Sequence, residues 1–227
     1  MIRDLGIIIA AAGTSSRFGE SDKLLEKLDG MPVFLHSVRN FYSLCPAGNM
    51  IVVVNPDKLA EFESNAGEYL PDCQLNFVAG AELRAQSVRN GLEALMPQTK
   101  FVAIQDAARP WSTPELLEKC LAAARLHGGG IPAKAVVDTL KRTSKNGRII
   151  DTVSRDNLWR VETPQVFNFE QLLDANKRIS DMNVEFTDDA SIMEAAGYEV
   201  YVVCNQEKNM KITYRKDIMS EENDSAC

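Results

Sequence analysis

Five short, nearly unbroken apolar runs punctuate this chain, at residues 5–10, 50–54, 75–79, 101–105 and 199–203, and helix-like segments separate most of them. Strands covered on both faces show such runs, and strands that alternate with helices line up in parallel. The expected fold is therefore α/β, with a mostly parallel sheet between helical layers. Residues 32–44 open with Pro32 at a first helical position and set Phe34, Val38 and Phe41 on one face. Thr113, Pro114 and Glu115 carry helix-starting chemistry, and Gly128, Gly129 and Gly130 end that helix. With 227 residues, 45% of them apolar, and no Pro/Gly/Ser-rich linker, the chain reads as one domain spanning 1–227. Ligands of such sheets bind beyond the strands' carboxyl ends, which gathers residues 13–23, 80–87 and 106–110 around one crevice.

One stretch breaks the rhythm. VVDTLKRTSKNGRIIDTV, residues 136–153, has two β-rich halves around Asn146 and Gly147, a strong hairpin signal. A late hairpin has no place in the core of such a sheet. It is expected to project as an arm, at about 134–156, toward a second copy of the chain, with an exposed edge hairpin as the alternative.

Charge and composition remove several classes. Lys and Arg number 25 against 32 Asp and Glu, a net charge of −7, which argues against nucleic acid as the main partner. The longest apolar run, residues 5–12, is far short of the roughly 18 residues a bilayer demands. That run passes directly into loop and helix signals rather than a cleavage site, so a cytoplasmic protein is expected. Cys45, Cys73, Cys120, Cys204 and Cys227 are odd in number and lack C-x-x-C spacing, which suggests neither a disulfide framework nor a zinc site. His36 and His127 are too isolated for a histidine metal site and read as helix-face packing.

The loops carry the chemistry. LGIIIAAAGTSSRFGESDK, residues 5–23, is a strand running into small residues with Arg17 and Lys23, the form of a phosphate grip whose backbone N–H groups and cations meet an anion. It is not a Walker loop, since Gly13 and Gly19 have five residues between them, and Ser15 breaks the dinucleotide fingerprint. Asp106, at a strand's carboxyl end, stands where a Mg²⁺ carrying substrate phosphates would sit, with Arg109 three residues on; DAARP serves equally as a turn. Arg84 and Ser87 open a helix where they would meet a base edge or phosphate, or simply cap. Thr187, Asp188 and Asp189 look first like a helix start. Arg17, Lys23, Arg84, Arg109, Lys141, Arg155 and Lys211 together place seven loop cations beside one metal-type carboxylate in an acidic chain. Nucleotidyl or phosphoryl transfer suits that set, because it needs charge neutralisation and alignment more than a nucleophilic side chain.

AAGTSSRFG with Lys23, AGAELRAQSVRNGL, IQDAARP, VVDTLKR, SRDNLWRVETPQVF, FTDDASIMEAAG and NMKIT resemble, in order and spacing, the motifs of the 2-C-methyl-D-erythritol 4-phosphate cytidylyltransferase family. The resemblance implies a Rossmann-like, three-layer homodimer with a β-arm. Members of that family join methylerythritol phosphate to CTP and release pyrophosphate in non-mevalonate isoprenoid synthesis, the activity that the resemblance implies here. It further implies that Ala11, Ala12 and Gly13 line the nucleotide loop, that Arg17, Lys23 and Lys211 hold the triphosphate, and that Ala81, Glu82, Arg84 and Ser87 surround the cytosine. Asp106 would bind Mg²⁺. Arg109, Thr139 and Arg155 would hold the sugar phosphate, partly across the dimer, with Thr163 and Thr187 close by. Departures cluster in the first loop, where Ser15, Phe18, Asp22 and Leu24 replace the family's usual glycine, methionine, proline and glutamine; Gln105 replaces a histidine. A ribitol 5-phosphate cytidylyltransferase shares the loop and DAARP, and a degenerate nucleotide-binding regulator is the non-enzymatic rival. A nucleotide-sugar glycosyltransferase would ordinarily show D-x-D, whereas Asp106 precedes Ala-Ala-Arg.

Overall fold

The computed structural model describes residues 1–13, 18, 21–179 and 186–218, so Arg17 lies outside the described residues. In chain order the elements are β1 (Leu5–Ala11), β2 (Lys27–Leu28), β3 (Met31–Pro32), α1 (Val33–Phe41), β4 (Met50–Val54), α2 (Leu59–Tyr69), β5 (Asn76–Ala79), α3 (Arg84–Glu93) and β6 (Phe101–Asp106). They continue with α4 (Pro114–His127), β7 (Gly129–Ala135), β8 (Leu140–Thr143), β9 (Ile149–Val153), β10 (Trp159–Val161), β11 (Gln165–Asn168), α5 (Phe169–Ile179), α6 (Asp189–Ala195) and β12 (Tyr201–Cys204). The main sheet has eight strands in the order β10-β7-β11-β6-β1-β4-β5, with β12 on β7. Only β10 and β11 run antiparallel to the rest.

Successive side chains of a strand point to opposite faces, and the central strands show it. Ile7 and Ile9 of β1 and Met50, Val52 and Val54 of β4 join one core, with Phe34, Phe41, Phe62 and Leu117 of α1, α2 and α4. Ile8, Ile51 and Val53 join the other, with Val88, Leu92, Leu172 and Ile192 of α3, α5 and α6. This is the three-layer arrangement. Phe34, Val38 and Phe41 are fully buried as their spacing implies, and each buried Phe contributes about 1.5–3 kcal/mol. Pro32, however, is the N-cap of α1 and closes the β2–β3 hairpin, one position earlier than expected.

The sequence signals located five of the eight strands. Of the three glycines expected to end α4, only Gly128 does so, at φ 94. Gly129 and Gly130 begin β7, because that strand passes so close beneath α4 that a Cβ on Gly130 would lie 2.3 Å from the Cys120 carbonyl oxygen. β10 and β11 form a bulged partner to β7, and β11 also closes onto β6. The arm is a separate two-stranded sheet, β8 with β9, turning at Gly147 with φ 83. Its apolar residues Val137, Ile149 and Ile150 are exposed. Among the described residues no helix is long and apolar enough to cross a membrane, and the cysteines there are all unpaired.

Candidate active site

The carboxyl ends of β1, β4 and β6 open into a cavity of about 710 Å³, lined by Ala12, Gly13, Lys23, Ala81, Glu82, Arg84, Ser87, Asp106 and Lys211, with Asn55, Asp57 and Thr213 added. Ala11 is buried in the core instead. The cavity wall is tight at one point. A Cβ on Gly80 would sit 2.5 Å from the Ala12 Cβ, so the second loop packs directly on the first. Ser87 shapes that second loop from within α3, its Oγ accepting from Ala81 N–H at 2.9 Å. Of the first loop's unusual residues, Ser15 lies outside the described residues and the other three are built into the protein. Phe18 and Leu24 are buried in the core, and Asp22 accepts from the Leu24 N–H at 3.1 Å while pairing with Lys58 at 2.8 Å. That turn presents Lys23, whose Nζ donates to the Ile212 carbonyl at 3.0 Å.

Asp106 is the centre of charge. The β1–β6 register sets it beside Ala10, and its Oδ2 lies 2.8 Å from Lys211 Nζ and 3.4 Å from Arg109 Nε. Burial pushes its carboxyl up, but Lys211, Arg109 and Arg84 outweigh that and bring it down to about 2. The carboxylate is ionised at neutral pH, and its other oxygen accepts no hydrogen bond from the described residues. Behind it, Thr163 is buried with both hydroxyl capacities used, accepting from Asp106 N–H and donating to Gln105 Oε1, each at 3.0 Å. Thr163 therefore braces the strand end and does not face the cavity. Gln105 donates in turn to Ser112 and to the Arg109 carbonyl, fixing the Asp106-to-Arg109 turn. DAARP is thus both a turn and a charged site.

Arg84 reaches α6, where its Nη2 lies 2.7 Å from Asp189 Oδ2. Burial acts to lower the guanidinium's pKa, and Asp189, Asp106 and Asp188 outweigh it and raise it. Asp188 caps α6 through a reciprocal pair with Ser191, the helix start expected from the sequence, and also accepts from Gln165. Asp189 departs from that reading. It is fully buried, an ion-pair partner rather than a solvated first-turn acid.

A second cavity, of about 430 Å³, adjoins the first and shares Lys211 with it. Its walls include Arg109, Lys134, Arg160, Glu162, Lys208 and Asn209. Lys134, Arg160, Glu162 and Lys208 were not found by sequence reasoning: the first three are brought together by the β7–β10 pairing, and Lys208 lies in the segment after β12. Thr139, Arg155 and Thr187 are exposed and line neither cavity of their own chain. Arg155 donates to the Val137 carbonyl at the base of the arm.

The sequence profile of the 2-C-methyl-D-erythritol 4-phosphate cytidylyltransferases matches residues 5–223. A protein of that name from Dictyoglomus thermophilum is 35% identical over 216 residues, covering 93% of this chain and 92% of its own length. A bifunctional IspD/IspF enzyme from Rhizobium leguminosarum is 39% identical over 221 residues, and there the chain spans 54% of the relative's length. The crystal structure of 4-diphosphocytidyl-2C-methyl-D-erythritol synthase from Anaerococcus prevotii superposes with a TM-score of 0.83, at 25% identity and 99% coverage of both chains.

Proposed function

The chain belongs to the 2-C-methyl-D-erythritol 4-phosphate cytidylyltransferase family, and from that premise we propose that it transfers the cytidylyl group of CTP to 2-C-methyl-D-erythritol 4-phosphate with release of pyrophosphate. The observation that carries the reading is the ionised Asp106, clamped by Lys211 and Arg109 on the wall between two adjoining cavities. CTP occupies the larger cavity, with its base along Ala81, Glu82 and Ser87 and its phosphates toward Lys23 and Lys211. The acceptor's phosphate, already anionic at neutral pH, needs no general base. One of its oxygens attacks the α-phosphorus in line while pyrophosphate leaves on the opposite side. Lys23, Arg17, Lys211 and Arg109 supply fixed positive charge to the transition state and hold the reacting groups in register.

The donor set fits a Mg²⁺ that arrives on the nucleotide. Asp106 offers one ionised carboxylate with an uncommitted oxygen, and Mg²⁺ takes one or two protein carboxylates with phosphates and waters filling the rest. No cluster of three or more His, Cys, Asp or Glu suited to a metal occurs among the described residues, in keeping with that shared coordination. When bound, the ion neutralises phosphate charge.

The exposed apolar face of the arm supports a homodimer in which Thr139 and Arg155 of one copy reach the acceptor pocket of the other. Unpaired cysteines suit a reducing compartment, the cytoplasm. Pyrophosphate release from CTP, with methylerythritol phosphate and ribitol 5-phosphate side by side, tests the reading. Turnover with methylerythritol phosphate is expected, and none with that acceptor would end it.

A further inference from the structure

Lys23 is held on one side by the core and on the other by charge. Leu24, the next residue, is buried, and its carbonyl accepts from the Phe34 N–H at 3.1 Å. Asp22, the residue before, folds the chain back around Lys23. Its Oδ1 accepts from the Leu24 N–H at 3.1 Å, and its carbonyl accepts from the Leu25 and Glu26 N–H groups at 3.0 and 3.2 Å. An acid that caps a turn in this way fixes the backbone of the residues it spans. Its second oxygen, Oδ2, lies 2.8 Å from Lys58 Nζ, and the Asp22 side chain is only 7% exposed.

Lys58 closes a short turn, Pro56–Lys58, which Asn55 caps by accepting from the Asp57 N–H at 3.0 Å. Asn55, Pro56 and Asp57 line the larger cavity, as does Lys23. The bridge from Asp22 to Lys58 therefore ties two separate stretches of that cavity's rim, the first loop and the turn after β4. A second tie runs from Arg215 to Ser21 and Glu26 at 3.0 and 3.2 Å, but the Arg215 side chain is 63% exposed. Exposed pairs contribute little, whereas a pair with its carboxylate out of water is screened less. The Asp22 charge is also of the wrong sign to attract a phosphate, so its place beside Lys23 calls for a different role.

We propose that Asp22, bridged to Lys58, is a positioning residue that sets Lys23 against the triphosphate of the nucleotide. This rests on the functional reading above, in which Lys23 faces the phosphates. Neither Asp22 nor Lys58 lines the larger cavity, so their effect on the nucleotide passes through Lys23.

The test measures CTP binding by titration calorimetry in wild type, Asp22→Ala, Lys58→Met, Lys23→Ala and the two double variants that carry Lys23→Ala. Charge alone predicts opposite signs, because losing the Asp22 carboxylate would tighten an anionic ligand and losing the Lys58 ammonium would loosen it. Positioning predicts one sign. Asp22→Ala should weaken CTP about 10-fold and Lys58→Met about 3-fold, the scale of one misdirected charge-assisted hydrogen bond. Neither should weaken it further once Lys23 is alanine, since residues that act along one path are not additive. Lys58 is partly exposed, so Lys58→Met keeps the fold and carries the same cycle if Asp22→Ala disturbs it. Tighter or unchanged CTP binding in Asp22→Ala overturns the proposal. So does unchanged binding in Lys58→Met, a full additional loss on top of Lys23→Ala, or absence of CTP binding to wild type. CTP binding without turnover would remove the cytidylyl-transfer reading while leaving Asp22 scored by its own readout.

Discussion

The ammonium of Lys23 donates to the Ile212 carbonyl at 3.0 Å, and Ile212 N–H donates to the Ala108 carbonyl at 2.8 Å. The first loop, the 211–213 segment and the turn after Asp106 are thereby joined through one buried residue. Lys23→Ala should lower kcat by roughly 10² to 10³, the usual loss for a preorganised charge at a transition state. The hydrogen bond to the Ile212 main-chain carbonyl goes with it, which by itself should lower stability by about 1 kcal/mol. Steady-state kinetics beside urea denaturation check both, and near-normal turnover would show that Lys23 does not grip the triphosphate. Arg17→Ala, judged from sequence alone, should behave alike in kcat.

The Asp106 carboxyl is depressed from an ordinary 3.8 to about 2. A depressed carboxyl adds stability above its unfolded pKa and loses it as pH falls through the folded one. The gap in unfolding free energy between wild type and Asp106→Asn should therefore be about 2 kcal/mol at neutral pH. It should close between about pH 4 and pH 2. A gap that persists undiminished at pH 2 would mean that the ion cluster is not its source.

Gly80→Ala places a methyl 2.5 Å from the Ala12 Cβ and 3.2 Å from the Val54 carbonyl oxygen, where backbone gives little room. Overpacking of this kind costs about 1–3 kcal/mol, and it should raise the KM for CTP because the two nucleotide loops are forced apart. Thermal unfolding and CTP titration measure the two effects; wild-type values for both would show that the loops do not depend on this contact.

Arg155 reaches neither cavity of its own chain, which makes it a candidate for service across a dimer. Lys23→Ala and Arg155→Ala, each expected to be nearly inactive alone, can be denatured, mixed and refolded together. If Arg155 acts in trans, each heterodimer holds one site with both lesions and one with neither, so about a quarter of wild-type sites should return. No recovery in a sample shown to contain heterodimers would refute the shared site.

Much of this site was legible because its residues sit where periodicity ends. Asp106 follows an apolar run, and Lys23 and Lys211 flank loops, so strand-end reasoning brought them to one edge. Long-range pairing was not legible. Arg84 and Asp189 stand 105 residues apart, and nothing local distinguishes Asp189 from an ordinary acid in a helix's first turn. β7 was hidden by Gly129, Gly130 and Pro132, residues that weaken strand propensity, although at Gly130 the approach of α4 leaves no room for a side chain. Without β7 and its partner β10, the positions of Lys134, Arg160 and Glu162 could not be drawn together.

The reversal of strand direction at β10 and β11 divides labour within one sheet. The nucleotide cavity is built largely by the parallel strands β1, β4 and β6, while Arg160, Glu162, Lys208 and Asn209 belong to the antiparallel addition and the segment after β12. Among the described residues only Lys211 lines both. Exchanging residues 160, 162 and 208, none of which lines the larger cavity, should therefore leave the KM for CTP in place, so this half of the sheet can be altered by mutation without rebuilding the other.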